Sequence, residues 1–176
     1  MFTDPLKSIN HFEILPGMAV ADLGSGSGFY TMAAAKLVGE HGRVYAVDIQ
    51  KELLITIKRE AERQHLLNVE IIWGDVEKSG GTKLANSSVD TVIASNILFQ
   101  LEDKESFTRE VGRILKKGKG KVFIVDWLDA FGGLGPEPTA VVSPGGCKKL
   151  FLEEGFEFYK EFPTGPHHYG LAFRKI

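Results

Sequence analysis

Apolar residues along the chain form short continuous runs that alternate with segments of helical periodicity. The short runs predict five strands, at residues 18–23, 43–47, 69–73, 89–94 and 121–125. Helical spacing of apolar residues, together with capping residues, predicts helices at residues 29–38, 51–65, 103–117 and 144–154. Strands that alternate with helices in this way are typical of a parallel sheet covered by helices on both faces.

Two further strand-like runs close the chain, at residues 156–162 and 169–175. The connection between them, PTGPHH, is too short for the crossover that a parallel pair requires, so it predicts an antiparallel hairpin. Residues 77–88 are polar and contain glycine, and we expect them to form mostly loop. The sequence therefore predicts five parallel strands followed by an antiparallel pair.

The length of 176 residues indicates one domain over residues 1–176. A hydrophobic content of 43% and a charged content of 25% are ordinary globular values and exclude a disordered chain. We divide it into an N-terminal segment 1–17, a central region, a mobile loop 130–142 and a C-terminal hairpin 156–176. No apolar run is long enough to span a membrane and the N-terminus lacks the pattern of a signal peptide, so we expect a cytoplasmic protein. The single cysteine, Cys147, excludes a disulfide framework and a zinc cluster of several thiolates, and we predict no metal site.

The strongest local signal is the segment DLGSGSG, residues 22–28, between the first predicted strand and the helix that follows it. Glycines at alternate positions allow a sharp turn and let a ligand lie against the backbone. Amide groups at the start of the next helix favour an anionic or polar ligand. The spacing G-x-G-x-G differs from the dinucleotide pattern G-x-G-x-x-G, whose third glycine would fall at position 29. A plain strand-to-helix turn is the alternative interpretation.

Two aspartates follow the next two strands. Asp48 ends the segment VYAVD, 20 residues after Gly28, where a carboxylate can accept hydrogen bonds from both hydroxyls of a ribose. Asp75, in the segment GDV, could accept from an exocyclic amine such as that of adenine. Each could instead be an ordinary helix-cap or turn aspartate. Because ligands of open α/β sheets bind at the carboxyl ends of the strands, we expect both acids and the glycine segment to form one site.

These segments together resemble the class I S-adenosylmethionine-dependent methyltransferases over nearly the whole chain. The resemblance rests on VADLGSGSGFYT (20–31), VYAVDI (44–49), WGDVE (73–77), VDTVIASNILFQL (89–101) and RILKKGKGKVFIVDW (113–127). The most similar branch contains quinone-biosynthesis methyltransferases and small-molecule relatives. The resemblance implies a Rossmann-like, doubly wound α/β fold, with a seven-stranded, mostly parallel sheet whose last strand is antiparallel and with helices on both faces. It also implies S-adenosyl-L-methionine as the cofactor and in-line transfer of its methyl group to a small-molecule acceptor.

The resemblance also assigns cofactor contacts to residues of the quoted segments. The methionine end would contact Asp22, Gly24, Ser25, Gly26, Gly28 and Tyr30. The adenosine end would contact Asp48 through the ribose and Ile49, Asp75 and Val76 through the adenine. The reacting methyl group would be bordered by Ser95 and Asn96. For Tyr30, an aromatic residue on the helix surface is an equally good interpretation.

The sequence identifies no catalytic residue, and methyl transfer needs a general base only when the acceptor must lose a proton. Asp126 follows the fifth strand and is a candidate to face the acceptor, although a cap or loop aspartate is the simpler interpretation. His167 and His168 lie in the predicted hairpin turn, where exposed histidines are common, yet one of them could act as a base. The acceptor pocket would be shallow, completed by a partner subunit such as a second copy in a homodimer, or covered by residues 130–142.

Three other functions are left open by the sequence. The acceptor could be RNA or protein, although the net charge of −2 disfavours nucleic acid as a partner. The chain could be a non-catalytic adenosine-binding subunit. A nicotinamide-dependent oxidoreductase is disfavoured by the glycine spacing and by the terminal hairpin.

Overall fold

The computed structural model of the chain describes residues 5–176, so residues 1–4 of the predicted N-terminal segment lie outside it. The strands are β1 (Ala19–Leu23), β2 (Arg43–Asp48), β3 (Val69–Trp73), β4 (Thr91–Ser95), β5 (Lys121–Trp127), β6 (Phe156–Gly165) and β7 (His168–Lys175). The helices are α1 (Pro5–Ser8), α2 (Phe29–Val38), α3 (Lys51–Arg63), α4 (Lys104–Ile114) and α5 (Pro144–Glu153), with short 3₁₀ turns at Ile9–His11, Leu98–Gln100 and Phe131–Gly133. None of the helices described is both long and apolar enough to cross a membrane.

The strands form one seven-stranded sheet in the order β3-β2-β1-β4-β5-β7-β6. All pairs among β1 to β5 are parallel, whereas β7 is antiparallel to both β5 and β6. The predicted Rossmann-like, doubly wound α/β fold with an antiparallel last strand is therefore confirmed. The strand order reverses between β1 and β4, and ligands bind beyond the carboxyl ends of the strands at such a point.

The central strands are apolar on both faces because helices cover both faces. On one face, Ala21 of β1 and Ile124 of β5 belong to a core shared with α4 and α5. On the other face, Val20 and Phe123 belong to a core shared with α2 and with Phe12. This double burial explains why the strands appear in the sequence as continuous apolar runs rather than as alternating patterns.

Helix α4 is shorter than predicted at both ends. The carboxylate of Asp103 accepts a hydrogen bond from Ser106 N at 2.9 Å, which makes Asp103 the N-cap, and the helix begins at the next residue. Leu115 adopts an extended backbone and forms an isolated parallel bridge with Val89, which ends the helix. Val89 forms only this isolated bridge. The strand predicted at residues 89–94 therefore begins two residues later than expected, with β4 starting at Thr91.

The terminal hairpin is longer than predicted. β6 continues to Gly165 and β7 starts at His168, so most of the predicted connection is strand. His168 pairs with Trp127, the last residue of β5, and is only 3% exposed. The expectation that both histidines lie in an exposed turn is therefore wrong for His168, because the β5–β7 ladder extends to the end of β5 and draws this residue into the sheet.

The carboxylate of Glu110 on α4 binds the loop 77–88 through hydrogen bonds. Glu110 is buried and accepts hydrogen bonds from Gly80 N at 2.9 Å, Thr82 N at 3.2 Å and Thr82 Oγ1 at 2.6 Å. It also pairs with Arg113 at 2.7 Å. Burial by itself would raise the pKa of Glu110, but Arg113 and the loop donors lower it to about 2. The negative charge of Glu110 thus holds the loop on the helix.

We expect Glu110→Gln to lower the free energy of unfolding by about 2 kcal/mol at neutral pH, because charge-assisted hydrogen bonds are lost from a buried position. The folded pKa lies below the ordinary value of 4.5, so this stabilisation is present above that value and is lost as the pH falls towards 2. Urea unfolding across this pH range measures the difference between variant and wild type. Glu60→Gln, in the exposed pair with Arg63, is the control and should have little effect. A loss that does not depend on pH would contradict the role of the charge.

Candidate functional site

The carboxyl ends of β1 to β4 enclose two joined clefts. The first cleft, of about 300 Å³, is lined by Asp48, Ile49, Asp75 and Val76 among others. The second cleft, of about 470 Å³, is lined by Asp22, Ser25, Tyr30 and Ser95 among others. The wall common to both clefts includes Gly24, Gly26, Asn96 and Gln100. The structure therefore brings together every site residue predicted from the sequence except Gly28.

The glycine loop, residues 24–28, bends sharply between β1 and α2. The amides of Gly24 and Ser25 both donate to Val47 O, at 2.8 and 3.1 Å. Gly24 has a φ of 68°, and a Cβ atom there would lie 2.5 Å from Ile97 Cδ1. A side chain is therefore excluded by both backbone conformation and space. The bend turns bare backbone towards both clefts.

The structure does not bring Gly28 to the clefts. Gly28 is the N-cap of α2 with a φ of 81°, and a Cβ atom there would lie 2.6 Å from Ile57 Cγ1 of α3. Its amide donates to Ser25 O at 2.9 Å. Gly28 thus allows α2 and α3 to approach each other and closes the turn of the loop. The alternate spacing of the glycines carried no signal of this packing role.

Asp48 joins the end of β2 to the glycine loop. Its Oδ2 accepts a hydrogen bond from Gly26 N at 2.9 Å, and its Oδ1 accepts one from Gln50 N at 2.9 Å. The second bond is local to the start of α3, so the helix-cap interpretation describes part of its role. A carboxylate offers about four acceptor positions, so Asp48 retains the capacity to bind hydroxyl groups in the first cleft.

Ile49 and Asp75 lie together in the first cleft. Asp75 pairs with Lys78 at 3.0 Å and accepts from Glu77 N at 3.0 Å, and these interactions lower its pKa. Ile49 is 62% exposed, and its carbonyl accepts from Trp73 Nε1 at 3.0 Å. An exposed apolar side chain beside an ionised carboxylate suits a flat ring that carries an amine.

Asp22 is the buried acid of the second cleft. Its Oδ2 accepts a hydrogen bond from Thr31 Oγ1 at 2.6 Å. Burial raises the pKa of Asp22 to about 6, against the opposing effect of Thr31, and the charge of Asp48 raises it further. A cation placed in the second cleft would stabilise the ionised form of Asp22.

The turn after β4 forms the wall between the clefts. Asn96 has a φ of 54°, and its carbonyl accepts from Gln100 Nε2 at 2.8 Å. Asp126, at the end of β5, accepts hydrogen bonds from Leu98 N and Trp127 N at 2.8 Å each. Burial raises the pKa of Asp126 to about 6, although these backbone bonds lower it. Asp126 therefore lies beneath the turn, where it fixes the backbone, and lines neither cleft.

Tyr30 is only 6% exposed, and its ring lies 5.4 Å from that of Phe12, so it is not a surface aromatic. Several residues that line the clefts are absent from the set predicted from the sequence, and Gln100 and Phe29 are the two that matter most for the ligand. Gln100 lines both clefts, and Phe29 lines the second while remaining 69% exposed. The position of Phe29 directly after the glycine loop was the one available signal, whereas nothing in the sequence marked Gln100.

The charge around the clefts is negative. Acidic residues line them, namely Asp22, Asp48, Asp75, Glu77 and Glu102, and no lysine or arginine is found among the lining residues of the described chain. Within residues 5–176, no group of three or more His, Cys, Asp or Glu side chains is arranged to hold a metal ion. This charge pattern suits a positively charged ligand and disfavours a phosphate-rich one.

Comparison with known proteins places the chain in a family. Residues 14–129 match the methyltransferase domain family. The chain belongs to this family, and the resemblance to class I S-adenosylmethionine-dependent methyltransferases is confirmed.

Individual relatives share the domain. The chain is 36% identical over 117 residues to an arsenite methyltransferase of Aquipseudomonas alcaligenes, over 64% of this chain and 34% of the relative. It is 32% identical over 115 residues to a ubiquinone/menaquinone biosynthesis C-methyltransferase of Klebsiella pneumoniae, over 63% of this chain and 43% of the relative. A crystal structure of a SAM dependent methyltransferase from Aquifex aeolicus has a TM-score of 0.87 and 28% identity, over 98% of this chain and 89% of that one. The chain thus spans less than half the length of these two sequence relatives.

We expect Gly28→Ala to lower the free energy of unfolding by about 2–4 kcal/mol, because the left-handed backbone costs alanine about 1 kcal/mol and the collision with Ile57 adds about 1–3 kcal/mol. Gly118→Ala is the matched control, since Gly118 has a φ of 70° and nothing lies within 4 Å of an added Cβ atom. Urea unfolding of both variants measures the two losses. Equal losses would show that the contact with Ile57 imposes no constraint.

Proposed function

We propose that the chain binds S-adenosyl-L-methionine across the two clefts and transfers its methyl group to a small-molecule acceptor. The observation that supports this most directly is the convergence of the glycine loop, Asp48 and Asp75 on joined clefts that carry negative charge. A ligand that matches these groups has a flat face, hydroxyl and amine groups that donate hydrogen bonds, and a positive charge. S-adenosylmethionine has all of these groups, and membership of the methyltransferase domain family supports the same assignment.

In this proposal the first cleft holds the adenosine portion. Ile49 packs against one face of the adenine, Asp75 accepts a hydrogen bond from the adenine amine, and the Val76 amide donates to the ring. Asp48 accepts from the ribose hydroxyls through the positions that its bonds to the backbone leave unused.

The second cleft holds the methionine portion. The bare backbone of the glycine loop lies against it, with Ser25 at the bend and Asp22 near the ammonium group. Ser95, Asn96 and Tyr30 border the methyl group. Gly28 acts on this arrangement through the packing of α2 on α3.

In this reaction the protein positions the methyl group of the cofactor for attack by the acceptor. The bound cofactor supplies an electrophilic methyl group that the acceptor attacks in line with the bond that breaks. Asp48 holds the ribose and the glycine loop holds the methionine portion, the two groups on either side of the sulfonium, so that the methyl group is held near Ser95 in the second cleft. The ionised form of Asp22 favours the positive charge of the bound state.

The chain favours an organic acceptor over arsenite. Arsenite is a soft centre that binds through thiolates, and Cys147 is the only cysteine of the sequence. Cys147 is fully buried, and burial raises its pKa to about 12, so it supplies no thiolate to the clefts. The acidic clefts also disfavour the phosphates of RNA. These features support a small organic molecule as the acceptor.

We expect Asp48→Ala to weaken the binding of S-adenosylmethionine by about 1–3 kcal/mol, because contacts to two hydroxyl groups are lost. Isothermal titration calorimetry measures the dissociation constant. Glu52→Ala, which removes a charge from the exposed first turn of α3, is the control and should leave the constant unchanged. Absence of binding by the wild type at millimolar cofactor would refute the proposed function, whereas an unchanged constant for Asp48→Ala would show only that the ribose lies elsewhere.

We expect cofactor binding to strengthen as the pH rises through about 6, because Asp22 ionises there and then attracts the cationic ligand. We expect the stability of the unliganded protein to change in the opposite direction. Because the pKa of Asp22 is raised from 3.8 to about 6, its contribution to stability is present at low pH and is lost as the pH rises through about 6. Calorimetric titrations between pH 5 and 8 test this linkage. Asp22→Asn should remove most of the dependence, because Asp126, whose pKa is also about 6, lines neither cleft. A dependence that survives in full would assign it to another group.

A further inference from the structure

We propose that His168 is the polar anchor of the acceptor subsite, and that this subsite takes an uncharged, largely apolar molecule with a hydroxyl or amine group. The inference rests on the proposed function and deepens it. His168 is 3% exposed, and neither Nδ1 nor Nε2 has a hydrogen-bond partner. Buried polar groups without partners destabilise the folded state and are rare in native proteins. Packing against Trp127 accounts for a ring at this position, but no contact in the described structure accounts for the two ring nitrogens.

The sheet places His168 on the same face as Ser95, which borders the expected position of the methyl group. Ser95, which lines the second cleft, pairs with Val125 of β5. Two residues further along β5, Trp127 pairs with His168 of β7. Because side chains alternate along a strand, these four residues lie on one face of the sheet. Strand spacing and rise put the Cα atoms of Ser95 and His168 about 10–12 Å apart, a distance that a molecule of one or two rings can bridge.

An aromatic neighbour of His168 and exposed apolar side chains on two nearby segments of the chain favour an apolar molecule. The rings of Trp127 and His168 lie 4.1 Å apart. Beyond β5, the side chains of Leu128 and Leu134 are 43% and 68% exposed, and Phe29 at the second cleft is 69% exposed. Large exposed apolar side chains on both the loop after β5 and the helix after the glycine loop can contact the body of an acceptor.

The protonation state of His168 favours an uncharged polar group. Burial, with a further contribution from the charge of His167, lowers the pKa of His168 to about 4. The ring is therefore neutral at physiological pH, with one nitrogen that donates and one that accepts. A hydroxyl or a neutral amine can pair with either nitrogen, whereas a carboxylate or sulfonate would meet no positive charge.

Residues 128–135 cover this subsite and must move to admit an acceptor. Gly135 lies against Trp127, since a Cβ atom there would come within 3.0 Å of the indole Cε3. The loop is also held by the bond from Leu128 N to His167 O at 2.8 Å and by the contact of His167 Nδ1 with Asp129 at 3.1 Å. The ring of Phe131 adds a contact with that of His167 at 3.8 Å. A loop held by side-chain packing and a few hydrogen bonds opens more readily than the hydrogen-bonded sheet beneath it.

The test uses His168→Leu in protein saturated with S-adenosylhomocysteine, so that a bound acceptor cannot react. The probe is 2-naphthol, and naphthalene-2-sulfonate is its charged counterpart. We expect 2-naphthol to bind the wild type and the sulfonate to bind at least tenfold more weakly. His168→Leu should weaken 2-naphthol binding at least tenfold while leaving the affinity for S-adenosylhomocysteine unchanged and the melting temperature unchanged or raised. His168→Asn, which keeps a donor and an acceptor, should retain part of the binding.

The matched control is His41→Leu, because His41 is exposed and distant from His168 in the sequence. This variant should bind 2-naphthol as the wild type does. Equal binding of 2-naphthol by His168→Leu, or no binding by the loaded wild type, would overturn the subsite. Loss of S-adenosylhomocysteine affinity or of thermal stability in His168→Leu would instead assign the residue a structural role and would also overturn it. Failure of the wild type to bind S-adenosylhomocysteine at all would refute the proposed function itself, so the two failures are distinct.

Discussion

The bend of the glycine loop is the constraint on which the rest of the site depends. Two successive amides, those of Gly24 and Ser25, donate to the same carbonyl of Val47, and Gly26 N donates to Asp48. The chain can follow this path only because no Cβ atom stands between Gly24 and Ile97. The same bend therefore exposes backbone to both clefts, holds the strand-end carboxylate in place and brings the turn after β4 against the loop.

Charge distinguishes this site from the dinucleotide sites that share its architecture. A pyrophosphate is bound by amides at a helix N-terminus, whereas acids line the clefts here and no lysine or arginine is among the described lining residues. Asp22 and Asp126 are both buried, with pKa values of about 6, but their positions give them different roles. The first faces a cleft, where a cation would favour its ionised form, and the second holds backbone amides beneath a turn.

The proposed acceptor subsite lies where the end of β5 meets the start of β7. Trp127 and His168 pair there, and the loop after β5 covers them. A neutral, unpaired imidazole beside an indole is a poor element of a core but a good partner for a polar group on an apolar molecule. The fully buried Cys147, in contrast, offers nothing to a thiophilic acceptor.

The sequence by itself determined the alternation of strands and helices, the glycine bend and the terminal hairpin, because periodicity, turn chemistry and connection length are local properties. It also located Asp48 and Asp75 at strand ends, where parallel topology brings them to one edge. The packing of Gly28 on α3, the burial of His168 and the position of Asp126 beneath the β4 turn were decided only by the tertiary structure. Each of these features is a contact between residues that are distant in the sequence. Strand register and helix packing decide which residues meet, and no local sequence pattern contains that information.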